Sequence, residues 1–315
     1  MRLLRQLPLR AANAAPLALA LGVFDGVHRG HQAVIKAAQR EARAQGWLSA
    51  ALSFDGPPEA ALGLPVPLRL GHPDEQIELL KRLGLDLLLS VPFTKVLGRL
   101  SAEDFARKVL AYRLRCAAVA VGHGFRFGAG AKGDVPLLRK LGQELGFKVL
   151  EVPPLLSGGH LASSTRLRHA VQAGRLAEAA RLLGRPWRLR GKVVRGQGLG
   201  SKIGFPTANL EGPQQVLPPR GVWAGRCRVI GPGGPQRWWG FAANLGVRPT
   251  IGKGLKPSTE LHLLGFKGSL RGRTLEAEFL KHLRPERRFA GLEALKAQIA
   301  KDLLRAALLT KERLA

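Results

Sequence analysis

The sequence predicts two domains of different class, an α/β domain built on a parallel sheet and a small antiparallel β-barrel with a terminal helix. Between residues 17 and 159, short apolar runs alternate with helical patterns five times, which is typical of a parallel sheet with crossover helices. After residue 186, glycine and proline become dense and strand-like runs are separated by turns, which favours a closed barrel. This change of texture predicts domains over residues 1–184 and 185–315.

The first domain is predicted as strands and helices in alternation. The runs predicted as strands cover residues 17–24, 48–54, 85–93, 116–122 and 147–154, and the helical patterns between them cover residues 31–46, 73–84, 101–115 and 135–146. A last helical segment, residues 163–183, begins with Ser-Ser-Thr, residue types that cap helices. Ligands bind at the carboxyl ends of strands in such sheets. We therefore expect binding loops at "GVFDGVHRGH", "FDGPP", "VPFTK" and "GHGFRFG".

The second domain is predicted as six strands followed by one helix. The strands are predicted at residues 187–196, 207–210, 221–230, 237–246, 259–266 and 275–284, and the helix at residues 292–309. Turn residues separate consecutive strands, and the domain is expected to be mostly antiparallel.

The composition is that of a globular protein with a strongly basic balance. The chain has 315 residues, 45% of them hydrophobic, and 50 Lys and Arg residues against 22 Asp and Glu give a net charge of +28. Nucleic acid is one partner that such a charge suggests. However, the charge forms no tail, and only 6% of residues are aromatic, so stacking platforms are few. Small anionic ligands such as nucleotides, or solvated helix faces, explain the charge with fewer assumptions.

The remaining composition indicates a protein of the cytoplasm. Cys116 and Cys227 lie far apart and belong to no CxxC pair, which favours reduced thiols. The N-terminal segment has Arg2, Arg5 and Arg10 before an apolar run, as a signal peptide does, but it lacks a convincing cleavage site. No run approaches the ~18 apolar residues of a membrane helix. We expect no membrane partner.

Two histidines three residues apart, His28 and His31, lie in the glycine-rich turn after the first predicted strand. Such a pair could ligate a metal, act as a general base or clamp a phosphate. Zinc would need further ligands at suitable spacing, which the neighbouring sequence lacks. Imidazoles donate hydrogen bonds to phosphate oxygens, and glycines at 22, 26 and 30 let the backbone approach, beside Asp25 and a helix N-terminus. The alternative without a functional role is a pair of surface histidines in a glycine-rich turn.

A second glycine-rich stretch, "RGQGLGSKIGFPTANL", opens the second domain. It is neither a dinucleotide fingerprint nor a P-loop, because an extended run follows it and no Gly-Lys-Ser/Thr ends it. Its amides could wrap a phosphate chain. Thr207 and Asn209 lie two residues apart, on one face of a strand, and their oxygens suit Mg²⁺. Taken alone, a glycine-rich hairpin would explain the stretch equally well.

The first-domain motifs are similar to those of a known enzyme family. "GVFDGVHRGHQ" resembles the HxGH signature of nucleotidylyltransferases, in the form typical of bacterial bifunctional riboflavin kinase/FMN adenylyltransferase, and "ASSTRLR" resembles that family's "ISSTxIR". The resemblance implies a Rossmann-like sheet and adenylyl transfer from ATP to FMN, with Mg²⁺ and release of pyrophosphate. The implied catalytic residues are His28 and His31. The implied ATP-binding residues are Gly22, Phe24, Asp25, Gly26, His28, Gly30, His31, Ser163, Ser164, Thr165, Arg166 and Arg168.

Two positions in the first domain depart from the family pattern. "FDGPP" stands where the family usually has "FxPHP", so a histidine is missing, and Gly124 in "GHGFRFG" stands where an Asp or Asn is usual. The neighbouring Phe125, Arg126 and Phe127 are the implied FMN-binding residues. These departures leave an alternative open, namely a riboflavin kinase whose adenylyltransferase site is weakened or inactive.

The second-domain motifs resemble the riboflavin kinase of the same family. They are "GFPTAN", "PPRGVWAG", "ANLGVRPT", "STELHLLGF" and "LRPERRF". The resemblance implies Glu260 as the general base that takes a proton from the ribityl 5′-hydroxyl, with Thr207 and Asn209 as Mg²⁺ ligands. It implies Arg284, Glu286 and Phe289 as flavin-binding residues. The implied ATP-binding residues are Gly196, Gly198, Gly200, Lys202, Gly204, Phe205, Pro206, Thr207 and Asn209.

The combined prediction is an enzyme that phosphorylates riboflavin to FMN and adenylylates FMN to FAD, with ATP as co-substrate. A nucleic-acid-binding protein that keeps the fold is the remaining alternative, supported only by the charge of +28. Trp223 is expected to pack, and at most one of Trp238 and Trp239 could stack on a flavin, because adjacent strand residues face opposite ways. The sequence leaves the oligomeric state open.

Overall fold

A computed structural model describes residues 1–8, 15–211, 215–231, 237–249 and 255–311 of the chain. The chain forms two compact units. The first, here called the sheet unit, comprises Met1–Leu68, Pro73–Arg166 and Leu182–Gly184, and the second, the barrel unit, comprises Arg69–His72, Leu167–Arg181 and Arg185–Ala315. The predicted assignment of residues 1–184 and 185–315 to two functional domains stays a prediction.

The sheet unit contains a six-stranded sheet in the order β1-β4-β3-β2-β5-β6, and every pair in it is parallel. Its strands are β1 (Arg2–Leu4), β2 (Leu17–Leu21), β3 (Leu48–Phe54), β4 (Leu87–Val91), β5 (Cys116–Gly122) and β6 (Lys148–Val152). β2 to β6 lie within the five predicted runs. β1 was missed, because three residues that include a charged one carry no strand pattern.

Helices cover both faces of this sheet. Those of the sheet unit are α1 (Arg29–Gln45), α2 (Pro58–Leu62), α3 (Pro73–Arg82), α4 (Lys95–Gly98), α5 (Ala102–Asp104, continued as a π-helix over Phe105–Arg113) and α6 (Val135–Leu145). Two further helices, α7 (Ser164–Gln172) and α8 (Leu176–Leu183), consist mostly of residues assigned to the barrel unit. All five residues of β2 are buried, and they alternate between two apolar clusters. Leu19 packs into one cluster and Ala20 into the other. Burial on both faces explains why the strands read as unbroken apolar runs. Two short strands, β7 (Leu156–Ser157) and β8 (His160–Leu161), form a separate hairpin.

The barrel unit contains a closed antiparallel barrel in the order β10-β13-β12-β11-β14-β9, which β9 and β10 close by pairing. Its elements are β9 (Arg188–Val194), α9 (Leu199–Lys202), β10 (Ala208–Leu210), β11 (Gly221–Ile230), β12 (Trp238–Pro249), β13 (Leu255–Leu263), β14 (Thr274–Arg284) and α10 (Leu292–Lys311). The predicted fold class of both halves is confirmed.

Aromatic rings fill the interior of the barrel around Phe279. Phe241 lies 5.3 Å from it between ring centroids, Trp187 6.0 Å and Trp223 6.2 Å. Trp223 is only 2% exposed, so the expectation that it packs is confirmed. A closed ring with a filled interior leaves ligands to bind at the barrel's ends or outer surface.

The structure bears on two further expectations. None of the helices in the described part of the chain has the length and apolar character that crossing a membrane requires. Cys116 and Cys227 are unbridged and buried, and burial raises the pKa of both thiols. Arg10 of the basic N-terminal segment lies outside the described residues, as does Thr250 of the "ANLGVRPT" motif.

Candidate active sites

The turn between β2 and α1 adopts a backbone that side chains disfavour. Phe24 has a φ of 55° and Val27 a φ of 43°, both in the left-handed region, at a cost of about 1–3 kcal/mol each. The carbonyl of Val23 accepts hydrogen bonds from Ser53 Oγ at 2.7 Å and Gln76 Nε2 at 2.8 Å. The neighbouring β3 and α3 therefore hold the strained turn in place.

The two histidines meet at the first turn of α1. His28 is the N-cap residue, and its Nδ1 accepts a hydrogen bond from the His31 amide at 3.3 Å. The rings stack with centroids 3.6 Å apart, and Phe24 contacts His31 edge-on at 5.4 Å. Because Nδ1 of His28 accepts, the proton of its neutral ring is on Nε2. His28 is 5% exposed, so this N–H is a fixed donor rather than a mobile surface group.

The "SSTR" segment packs against the same turn. A Cβ at Gly30 would lie 2.9 Å from the carbonyl oxygen of Ala162 and 3.0 Å from Cε1 of His28, so only glycine fits there. Ser163 follows directly, and its Oγ accepts a hydrogen bond from the Arg166 amide at 3.3 Å. The structure therefore brings the histidine turn and the start of α7 together. Ser164, Thr165 and Arg166 form the first turn of α7, with Arg168 two residues further along the helix.

The predicted FMN-binding aromatics point in part into the core. Phe127 is 7% exposed and packs into the apolar cluster beside Phe105, and Phe125 stacks on Phe127 at 5.8 Å. Arg126 is exposed and donates from Nε to the Ala131 carbonyl at 3.1 Å. Of the three residues, Arg126 and the partly buried Phe125 are those with surface available to a ligand.

The histidine beside Gly124 has a different partner. Nδ1 of His123 lies 2.9 Å from Glu151 Oε1, and Arg139 contacts the other oxygen of that carboxylate at 2.5 Å. The hydrogen bonds from His123 and then Arg139 lower the pKa of Glu151. The Nδ1 atom of His123 is therefore bound to Glu151.

The barrel unit holds a cavity of about 350 Å³, lined by residues of β12, β13 and α10 and by Thr207, which directly precedes β10. Its predicted lining residues are Gly200, Phe205, Thr207, Glu260, Arg284, Glu286 and Phe289. Asn244, His262, Arg287 and the α10 residues Leu295, Ile299, Asp302 and Leu303 line it as well. Trp238 and Trp239 do not, so neither stacks on a ligand there. The Trp238 ring packs against the guanidinium groups of Arg226 and Arg228, and Trp239 packs on Phe266.

Glu260 stands at the centre of a polar row across three adjacent strands. In β13 it lies directly opposite Asn209 of β10 on one side and Asn244 of β12 on the other. Residues directly opposite each other across strands share a face of the sheet. The Thr207 hydroxyl lies 3.3 Å from Glu260 Oε2. A carboxylate, a hydroxyl and an amide thus line the cavity at Glu260, Thr207 and Asn244, with Asn209 in register beside them.

The glycine-rich segment packs directly over this row. A Cβ at Gly196 would collide with the side-chain amide of Asn209, which is itself 7% exposed. The chain then forms the single turn α9, which ends at Lys202, and returns through Gly204 to Phe205. Pro206 offers its carbonyl to Nδ1 of His262 at 2.8 Å. Gly198, Lys202, Gly204 and Pro206 lie in this segment but do not line the cavity.

Several cavity residues were missed by the sequence interpretation, among them Asn244, His262 and Asp302. Asn244 and His262 lie inside quoted motifs, but their part in the site follows from register rather than from spacing. Asp302 carried a usable signal, since it is a charged residue on the apolar face of a helix, between Ile299 and Leu303. It is 2% exposed, and an acid buried on an apolar face points to a fixed partner.

Two family models match this chain. The FAD synthetase family model matches residues 10–166, and the riboflavin kinase family model matches residues 183–309. The bifunctional riboflavin kinase/FMN adenylyltransferase of Escherichia coli K12 is 40% identical over 289 residues, which are 91% of this chain and 91% of the relative. The protein of the same description from Pseudomonas fluorescens is 38% identical over 90% of this chain and 89% of its own length.

A solved structure supports the fold as well. A Streptococcus pneumoniae protein described as a macrolide-efflux protein is 26% identical, with a TM-score of 0.82, over 96% of this chain and 98% of that one. The two family models together cover most of the chain, and both bacterial relatives are more than 30% identical over about nine-tenths of it. The chain therefore belongs to the family of bifunctional riboflavin kinases/FMN adenylyltransferases.

Proposed function

We propose that this chain makes FAD from riboflavin in two steps that each consume ATP, phosphorylation at the barrel cavity and adenylylation at the histidine turn. The observation that carries the proposal is the position of Glu260. Glu260 lines a cavity of about 350 Å³, its carboxylate lies 3.3 Å from the Thr207 hydroxyl, and the residue is in register with two asparagines. The proposed functional domains are residues 1–184 for adenylylation and 185–315 for phosphorylation.

In the phosphorylation step, Glu260 accepts the proton of the riboflavin 5′-hydroxyl. The hydroxyl oxygen then forms a bond to the γ-phosphorus of ATP, and the bond from that phosphorus to the β-phosphate oxygen breaks, which releases ADP. Thr207 orients the carboxylate through their 3.3 Å contact. We propose that the glycine-rich segment, including Lys202 at the end of α9, binds the ATP phosphates, and that Arg284, Glu286 and Phe289, which line the cavity, bind the flavin.

Mg²⁺ fits the residues of this site. Thr207 and Asn209 would hold it through a hydroxyl and an amide oxygen, the hard oxygen ligands that Mg²⁺ takes together with water and nucleotide phosphates. When bound, the ion neutralises charge on the transferred phosphoryl group. Gly196 keeps Asn209 in place, because the glycine backbone packs directly on the amide.

In the adenylylation step, an FMN phosphate oxygen forms a bond to the α-phosphorus of ATP and pyrophosphate leaves. The nucleophile is already an anion, so the site needs hydrogen-bond donors rather than a base. Nε2–H of His28 is such a donor, beside the N-termini of α1 and α7, where helix dipoles favour phosphate. His31, stacked on His28, and Ser163 to Arg166 complete the proposed ATP site.

The test is chromatography of flavins after incubation with ATP and Mg²⁺, starting once from riboflavin and once from FMN. Wild-type protein should form FAD from both. Glu260→Gln should abolish FMN formation from riboflavin and leave FAD formation from FMN unchanged, and His28→Ala should do the reverse. Glu293→Gln, on an exposed turn of α10, is the matched control.

Two results would contradict the proposal. FMN that accumulates from riboflavin in the wild type, with no FAD from either substrate, would support the alternative of a weakened adenylyltransferase, to which Gly124 and "FDGPP" point. Duplex DNA binding that ATP fails to displace would support the nucleic-acid alternative.

We also propose a cytoplasmic location, supported by the two unbridged thiols.

A further inference from the structure

Helix α10 forms one wall of the barrel cavity, and its buried acid, Asp302, contacts the segment of residues 284–289, which also lines the cavity. Asp302 is 2% exposed, and Leu295, Ile299 and Leu303 line the cavity from the same face of the helix. An ionisable group in such a place needs partners for its charge.

Both oxygens of the Asp302 carboxylate are hydrogen-bonded. Oδ2 accepts from Nε of Arg284 at 2.9 Å and lies 2.8 Å from its NH2, while Oδ1 accepts from Nε2 of Gln298 at 2.8 Å. The third nitrogen of Arg284, NH1, donates to the Pro285 carbonyl at 3.1 Å. The guanidinium plane is therefore fixed at all three nitrogens.

The fixed guanidinium supports the aromatic residue of the cavity wall. Arg284 lies 5.6 Å from the ring centroid of Phe289, and Arg287 lies 4.9 Å from it, both within the range of cation–π contacts. Arg287 in turn donates to Gln298, which binds Asp302. The five residues form a closed circuit of contacts that begins and ends at the buried acid.

The same segment reaches the catalytic row. Glu286 accepts a hydrogen bond from Asn244 at 3.4 Å, and Asn244 lies opposite Glu260. The segment from Arg284 to Phe289 is thus tied to α10 through Asp302 and to β12 through Glu286. Neither tie involves the glycine-rich segment, which packs on Asn209 at the other side of Glu260.

We infer that Asp302 is a positioning residue for the flavin. It fixes Arg284 and Phe289 as the wall against which the isoalloxazine ring binds, and so it determines affinity for riboflavin but not for ATP. The inference rests on the proposed kinase function of this cavity. Since Asp302 touches neither Glu260 nor Thr207, its loss should leave the chemical step intact.

The test is steady-state kinetics of riboflavin phosphorylation by the full chain, with riboflavin and ATP varied separately. Asp302→Asn keeps the shape of the side chain but removes the charge, and it should raise the riboflavin KM about tenfold or more, as expected for loss of a hydrogen bond to a charged group. The kcat and the ATP KM should stay within about twofold of wild type. Riboflavin affinity measured from flavin fluorescence without ATP should fall by the same factor.

Gln298→Ala is a second variant, which removes one link of the circuit and leaves the buried Asp302 carboxylate in place. It should shift the riboflavin KM in the same direction by a smaller factor, while Glu293→Gln, on the exposed face of α10, should shift nothing. A riboflavin KM at the wild-type value in Asp302→Asn would overturn the inference. So would an equal rise in both KM values, which a general loosening of the barrel would produce. Wild-type protein with no riboflavin phosphorylation at all would instead overturn the proposed kinase function.

Discussion

The outer face of the barrel contains two glutamates that no solvent reaches, and Glu276 is the better test of what holds the barrel together. Glu276 and Glu278 in β14 are both 0% exposed. Arg190 lies 2.6 Å from the Glu276 carboxylate, Arg228 2.7 Å and Arg188 3.2 Å. Trp238 covers the array from outside, with its ring centroid 4.9 Å from the Arg228 guanidinium.

The perturbation is Glu276→Gln, which removes one charge from this array. Burial raises the pKa of Glu276, but Arg188, Arg190 and Arg228 together outweigh it, so the pKa lies below its usual range and the group is ionised at neutral pH. Without that charge, three guanidinium groups lose their common partner. Breaking a buried ion pair from one side costs about 3–5 kcal/mol, a large part of the roughly 5–15 kcal/mol that stabilises a domain.

The pH dependence of stability has a defined sign. The folded pKa of Glu276 lies below the unfolded value of about 4.3. Its ionisation therefore stabilises the barrel above that pH, and the stabilisation is lost as the pH falls through the folded pKa. Glu276→Gln should be less stable at neutral pH and should lose less stability on acidification than the wild type.

The two cysteines give an assay that reports on each unit separately. Cys116 lies in β5 of the sheet unit and Cys227 in β11 of the barrel unit, and both thiols are buried with raised pKa values. Buried thiols react with an alkylating reagent only when their surroundings open. A loss of about 3 kcal/mol should raise the rate of Cys227 alkylation by roughly 10²-fold and leave the Cys116 rate unchanged.

Peptide mass spectrometry after timed alkylation measures both rates in one sample. Glu144→Gln, which removes the exposed ion pair with Arg107, is the control and should change neither rate. A Cys227 rate equal to that of wild type in Glu276→Gln would refute the reasoning. It would mean that the array costs as much in desolvation as it gains from its ion pairs.

Two glycines test the two sites independently. Gly196→Ala places a methyl group against the Asn209 amide, which displaces a proposed Mg²⁺ ligand. It should lower riboflavin phosphorylation by about 10²-fold and leave adenylylation of FMN unchanged. Gly30→Ala places a methyl group 2.9 Å from the Ala162 carbonyl oxygen and 3.0 Å from Cε1 of His28. This variant should lower adenylylation of FMN by a similar factor and leave riboflavin phosphorylation unchanged. Flavin chromatography with each substrate measures both, and loss of both activities in either variant would indicate a folding defect instead.

Much of the fold could be predicted because its elements are buried on the faces that the sequence pattern marks. β3 and β5 have the predicted bounds, since an apolar run between turn residues fixes both ends of a strand. The order of the strands in the sheet could not be predicted, because the hydrophobic pattern indicates which residues are buried but not which strands pair with each other. The π-helical turn in Phe105–Arg113 was read as part of an ordinary helix, since its extra residue per turn leaves no separate composition signal.

The sites were predicted unevenly for a related reason. Asn209 and Glu260 lie on strands, where two-residue periodicity gives the side-chain direction, and register then brings them together. Thr207 directly precedes β10 and lies 3.3 Å from Glu260 Oε2. Phe125 and Phe127 lie in a loop, where the backbone angles decide the direction, and Phe127 turned into the core. Asp302 was missed because its role depends on Arg284, 18 residues earlier in the chain.

The difference between the two sites follows from the difference between their proposed nucleophiles. A phosphate monoester is mostly a dianion at neutral pH, with a second pKa near ~6, so adenylylation needs donors and dipoles. The sheet unit offers these in the fixed N–H of His28 and two helix N-termini. An alcohol keeps its proton until an acceptor takes it, so phosphorylation needs a carboxylate, and Glu260 lies among hydroxyl and amide groups that hold it in place. A parallel sheet brings helix N-termini to the edge where its strands end, whereas a barrel brings side chains of neighbouring strands into register. The proposed adenylylation therefore uses helix N-termini of the sheet unit, and the proposed phosphorylation uses a carboxylate in register on the barrel strands.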